Sequence, residues 1–312
     1  MSRRSSVLRR PQATIAAESI ATEIPSNPAE SLHFYPLVLL FAASGCSALI
    51  YEIVWFQLLQ LVIGSSAISM GLLLAAYMGG LCLGSVLLPR LVSRRPLALW
   101  PPLRVYALLE LGIGCFGLIA LFGVPLVGRL YVAGATSGIF GVVLRGVVAA
   151  VCLLPPTVLM GGSFPAIARA VEANPAGVSR LGLLYSANIA GAVIGCLGAG
   201  FYLLRVYNMA VATYVAAAIN LAVALGAFAI AARAKSIFNE QAEPTRAPRR
   251  ASGAPLIYLA IALSGLSALG AEVVWTRLLS LLLGATVYVF SIILAVFLIG
   301  LWAGSGAGSF LA

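Results

Sequence analysis

Ser44-Gly45-Cys46-Ser47-Ala48-Leu49-Ile50-Tyr51-Glu52-Ile53-Val54-Trp55 is written a second time, 220 residues further on, as Ser264-Gly265-Leu266-Ser267-Ala268-Leu269-Gly270-Ala271-Glu272-Val273-Val274-Trp275. Carried on to Gly64 and Gly284, the copies share 12 of 21 positions, and the register continues through Gly80/Gly300, Gly84/Gly304 and Ser85/Ser305. Both copies lie in apolar runs long enough to cross a bilayer, which takes roughly 20 helical residues. Each places one glutamate inside that run, where an ionised carboxylate costs several kcal/mol unless something offsets it. A costly residue written twice in register points to a two-fold-related membrane site.

The rest of the chain agrees with a bilayer setting. Hydrophobic residues make up 62% of it and charged residues only 9%, whereas a soluble domain is nearer one quarter charged. The net charge of +10 is dispersed among short loops, which fits membrane topology and not a nucleic-acid-binding face. There is no Asp, one Lys (Lys235) and one His (His33), which leaves aspartate-based, phosphate-transfer and zinc chemistry almost nothing to work with. Cys46, Cys82, Cys115, Cys152 and Cys196 fall singly in apolar stretches with no CxxC spacing, so they read as packing residues. Residues 1–34, polar and carrying Arg3, Arg4, Arg9 and Arg10, read as a disordered cytoplasmic tail and not as a signal peptide.

Eight transmembrane helices are expected, over 36–63, 65–89, 103–127, 138–168, 181–204, 207–232, 255–283 and 285–311. With the N-terminus inside, 15 Arg and Lys fall in the tail and cytoplasmic loops and only Arg129 and Arg205 on the opposite side. That asymmetry predicts an N-in, multi-pass protein of the plasma (bacterial inner) membrane. Six spans separate the starts of the two copies, so the first and seventh spans run in the same direction. This predicts parallel repeats about an axis along the membrane normal, as in the two six-helix halves of major facilitator transporters. The fold class is therefore an all-α polytopic membrane protein with a six-helix bundle (35–233), a Pro-containing cytoplasmic linker (234–254) and the first two helices of a second repeat (255–312). Because the sequence stops at Ala312 just after an apolar run, it reads as a truncated or split member of a longer architecture.

The duplicated Ser-Gly-x-Ser-Ala-Leu-x-x-Glu-x-Val-Trp motif resembles the membrane domain of fused major-facilitator/spermidine-synthase-like proteins. Leu154-Pro155-Pro156, Met160-Gly161-Gly162-Ser163-Phe164-Pro165 and Leu184-Tyr185-Ser186-Ala187-Asn188-Ile189-Ala190-Gly191 carry the same resemblance, in the expected order. It runs from about residue 36 to the end. The resemblance implies further helices and, in many members, a soluble aminopropyltransferase-like domain. Two departures stand out. Thr276-Arg277 follows the second Trp as the pattern has it, but the first copy reads Phe56-Gln57. No Gly-rich strand-turn-helix with acidic partners is present for a nucleoside cofactor, so no cofactor is expected and the chain alone is not expected to be an enzyme.

Glu52 and Glu272 are the leading candidates for substrate binding. They lie about 24 Å along their helices from the inner ends, and in a facilitator-like bundle those helices flank a central cavity. There the carboxylates could hold a cation or exchange a proton; the alternative is a structural carboxylate bonded to Ser47 or Ser267, or paired with an arginine. Arg277 is expected either to snorkel to the interface or to pair with Glu52. Arg145 is expected either to offset Glu272 or to hold an anionic group. Glu110 is a gate candidate, with an ion pair to Arg104 or Arg169 at the cytoplasmic rim as its alternative. Asn188 and Tyr185 are further candidates for the cavity wall, beside Ala187, Gly191 and Gly195, which form a small-residue helix contact. Gly80/Gly84 and Gly300/Gly304 read as contact surfaces of the same type. Pro155, Pro156 and Pro165 are expected to kink or open the fourth span, and Trp55 and Trp275 to anchor at an interface.

Two functions follow. One is transport of a small cationic solute, a polyamine among the candidates, through a cavity lined by Glu52 and Glu272. The other is a membrane anchor for an aminopropyltransferase-like partner. The lipid bilayer is the expected surrounding, and the missing helices or that enzyme the expected partner.

Overall fold

The computed structural model describes residues 28–92, 100–134, 138–171, 177–234, 254–284 and 286–311. Most of the expected tail and nearly all of the expected linker lie outside these residues. Among the described residues, eight helices are long and apolar enough to cross a membrane. They are α1 (Pro28–Ile63), α2 (Ala67–Val92), α3 (Pro102–Gly134), α4 (Gly138–Val171), α5 (Gly177–Gly198), α6 (Met209–Ala234), α7 (Ala254–Leu283) and α8 (Val287–Leu311). Helix α5 continues through a π-helical turn, Ala199–Leu203, into a last α-helical turn, Leu204–Val206. The protein is an all-α polytopic membrane protein. α1 starts at Pro28, ahead of the apolar run, so the end of the expected tail is already helical.

The repeat is present in the backbone. Helices α1 and α7 both end on a glycine with positive φ, Gly64 at 85° and Gly284 at 91°. An L side chain is strained there, and glycine is the usual residue for reversing a helix end. The helices that follow are capped at matching positions. The Ser66 hydroxyl accepts from the Ser69 N–H at 3.1 Å, and the Thr286 hydroxyl from the Val289 N–H at 3.4 Å. Such caps satisfy one of the amide donors that a helix start leaves free.

From Leu37 onward α1 is the most enclosed helix. Tyr51, Ile53, Val54, Trp55 and Phe56 are all buried, so its middle is covered on every side, while Leu39 and Leu61 towards its ends are exposed. Glycines let its neighbours approach: a Cβ on Gly191 or Gly195 of α5 would strike the Ala42 or Cys46 carbonyl of α1. On α2, a Cβ on Gly80 would strike Thr157, and one on Gly84 the Val158 backbone, both of α4. Lipid offers no hydrophobic drive for helices to associate, so close backbone approach through small residues supplies much of the packing energy. The second copy differs. Gly265, Gly300 and Gly304, equivalent to Gly45, Gly80 and Gly84, have no described residue within 4 Å of a would-be Cβ.

The prolines of α4 do not interrupt it, since the α-helix is continuous through Pro155, Pro156 and Pro165. The Thr157 hydroxyl bonds the Leu153 carbonyl at 2.6 Å within that stretch. A departure from regular α-helix lies in α5, at Ala199–Leu203. Its second residue, Gly200, packs so closely on Ser291 of α8 that a Cβ would collide with the hydroxyl.

Candidate functional site

Helices α1 and α7 carry Glu52 and Glu272 at equivalent positions and bury both, to 2% and 6% exposure. The carboxyls lie within electrostatic reach of one another. Each has an oxygen, Oε1, with no hydrogen-bond partner. Three other helices complete the surroundings. Tyr77 of α2 turns its hydroxyl toward Glu52 while lying 3.8 Å from the Met160 sulfur, a weak acceptor. Cys196 of α5 senses both carboxyls and donates to the Ser291 carbonyl of α8 at 3.2 Å. Ser291 is fully buried, with its own hydroxyl oxygen unpartnered. The π-helical turn begins three residues after Cys196, and such turns often mark functional sites in helices.

Among the described residues, no arginine offsets this pair. Arg145 was expected either to offset Glu272 or to hold an anionic group; its Nε donates to the Tyr131 hydroxyl of α3 at 3.3 Å. Arg277, expected either to snorkel to the interface or to pair with Glu52, is exposed and lines a cleft between the α1–α2 and α7–α8 turns. Nor does Ser47 hold Glu52, because its hydroxyl donates to the Ser44 carbonyl at 2.9 Å. Two buried like-signed groups without a neighbouring cation need a proton or a cationic ligand to offset their burial.

Glu110 of α3 stands in contrast. It is fully buried, and both its oxygens are engaged. The Ser44 hydroxyl of α1 donates to Oε1 at 2.6 Å, and the Asn220 amide of α6 donates to Oε2 at 2.8 Å. The hydroxyls of Tyr106 and Ser163 face it as well. The expected rim ion pair is therefore corrected: Glu110 is the centre of a buried network joining α1, α3 and α6. Arg169 donates to the Pro89 carbonyl at 3.3 Å.

The remaining candidates are not gathered at the carboxyl pair. Asn188 donates across helices to the Phe41 carbonyl at 2.9 Å. Tyr185 sets its ring against Phe164 at 6.0 Å, and Phe164 stacks on Phe41 at 5.8 Å. Asn188 precedes Cys196 by two helical turns, about 12 Å along α5, so it belongs to the α1–α5 contact. Trp55 was expected at an interface, yet it is buried and stacked on Tyr51 at 5.0 Å; Trp275 is exposed.

Several site residues carried a sequence signal that was left unused. Tyr77, Ser291 and Asn220 are polar side chains within apolar spans, which is itself the signal for an intramembrane site. Cys196, read as packing, had none. Comparison of the chain with protein-family models, with curated proteins and with solved structures finds no match.

Proposed function

We propose that this chain is a transport-type membrane domain that moves a small cationic solute, a polyamine among the candidates, through a site formed by Glu52 and Glu272. The observation that carries the reading is the buried pair itself. Two carboxyls from repeat-related helices come within electrostatic reach; among the described residues each has an unpartnered oxygen and neither has an arginine beside it. A protonated amine offers both the charge and the donors that such a pair lacks. The resemblance to the membrane part of the fused major-facilitator/spermidine-synthase-like proteins supports a facilitator-like arrangement. The basic-residue asymmetry supports an N-terminus in the cytoplasm of a bacterial inner membrane, which sets the Gly64 and Gly284 turns on the outer side.

The test is uptake of a labelled diamine into proteoliposomes by the wild type, Glu52→Gln and Glu272→Gln. Transport lost in both variants supports the reading. Unchanged transport in both removes these residues from it.

A second reading is a non-transporting anchor for a partner, an aminopropyltransferase-like protein or a set of completing helices. One observation favours a helical membrane partner: Gly300 and Gly304 face open space, while Gly80 and Gly84 are pressed onto α4. Co-purification of such a partner, without solute flux, would select this reading.

A further inference from the structure

Next to Gly64 and Gly284, the ends of the helices on either side line a partly open cavity of about 60 Å³, room for on the order of four to six waters. Its walls follow the repeat. Gln57 and Arg277, Gln60 and Ser280, and Ala67 and Val287 all line it, and each couple is separated by the 220-residue offset. The cavity is therefore a pseudo-two-fold feature lying between the two copies of the motif.

Its polarity is the reverse of that of the carboxyl pair. Among the described residues of the lining Arg277 is the only charged one, and it makes no hydrogen bond or ion pair with any described residue. The Gln57 and Gln60 amides and the Ser280 hydroxyl add neutral donors. The first turns of α2 and α8 reach the same cavity through Ala67 and Val287, and helix starts carry partial positive charge. Thr276 also lines the cavity; it is 98% buried, and its hydroxyl oxygen has no partner. One turn deeper, about 6 Å along each helix, follow Glu52 below Phe56 and Glu272 below Thr276.

We propose that this cavity is an anion subsite that takes the carboxylate of a basic amino acid whose side-chain amine reaches the Glu52/Glu272 pair. The inference rests on the reading of that pair as a cation site, and it narrows the solute from a bare diamine to a zwitterion with an added amine. Arg277 holds the carboxylate as a charge-assisted hydrogen-bond donor, with Gln57 and Thr276 beside it. The cavity admits the anionic head group alone, and the alkyl chain spans the turn of helix between the two charged centres.

Lysine and cadaverine differ only in the carboxylate, so their binding to the purified full chain in detergent tests the proposal. Expected are at least tenfold tighter binding of lysine by the wild type, and loss of that preference in Arg277→Gln with cadaverine affinity within twofold. Arg277→Lys should keep part of the preference, and unchanged thermal unfolding checks that the variants are folded. Equal binding of the two probes by the wild type overturns the proposal, as does an Arg277→Gln variant that weakens both equally or neither. Cadaverine binding that depends on Glu272 without a lysine preference overturns the anion subsite alone. Cadaverine binding unaffected by Glu52→Gln and Glu272→Gln, or no binding of either probe, overturns the carboxyl-pair reading as well.

Discussion

Replacing Glu110 by alanine and by glutamine should give two proteins of very different stability. The carboxyl accepts from Ser44 at 2.6 Å and from Asn220 at 2.8 Å, in a setting with no solvent exposure. Hydrogen bonds to a charged group contribute about 1.5–3 kcal/mol each. Alanine removes both, strands the Ser44 hydroxyl and the Asn220 amide, and leaves a void, so we expect a loss of about 3–5 kcal/mol. Glutamine can keep both bonds: its oxygen still accepts from Asn220, and its amide donates to Ser44, whose hydroxyl can accept. The expected loss is then about 1 kcal/mol. Reversible unfolding in mixed detergent micelles, followed by tryptophan fluorescence, measures both values. Diamine uptake by Glu110→Gln should match the wild type, because no hydrogen bond among the described residues joins Glu110, Ser44 or Asn220 to the carboxyl pair. Equal stability losses for the two variants, or alanine within 1 kcal/mol of the wild type, would refute the network as a structural junction. Lost uptake with stability intact would restore a gating role to Glu110.

Two further outcomes test the asymmetry between the copies. Gly84→Ala places a methyl against the Val158 backbone and should cost about 1–3 kcal/mol, whereas Gly304→Ala, with open space around it, should stay within about 0.5 kcal/mol; the same unfolding assay reads both. In variants whose only tryptophan is Trp55 or Trp275, brominated lipid should quench Trp275 strongly and Trp55 weakly, because Trp55 is covered and Trp275 is not. Equal quenching would contradict the placement of α1 inside the bundle.

The eight spans could be read from the sequence because bilayer thickness fixes helix length, and length with hydropathy needs no knowledge of neighbours. The repeat could be read from identity, and Gly64 and Gly284 from their place at the end of each copy. What escaped the sequence depends on which helix lies beside which. Trp55 and Trp275 stand at the same motif position, yet α1 is covered by α3, α5 and α8 while most of α7 is exposed. The partners of Glu110 were missed for the same reason: helical periodicity says which residues share a face and is silent on what the face meets. Proline signalled a weakness in α4, but an X–Pro pair within a long apolar helix can be absorbed, as neighbouring hydroxyls and helices re-satisfy the freed carbonyls. The π-helical turn of α5 had no proline to announce it and accompanies the close approach of Gly200 to Ser291.

A double-mutant cycle on diamine binding puts the convergence of the two repeat-related glutamates to the most direct test. Dissociation constants for cadaverine would be measured for the wild type, Glu52→Gln, Glu272→Gln and the double variant. If both side chains face one bound amine, each single change weakens binding at least tenfold, and the double change is weaker than the wild type by clearly less than the product of the singles. Four equal constants, or two effects that multiply as independent sites do, would contradict a shared centre.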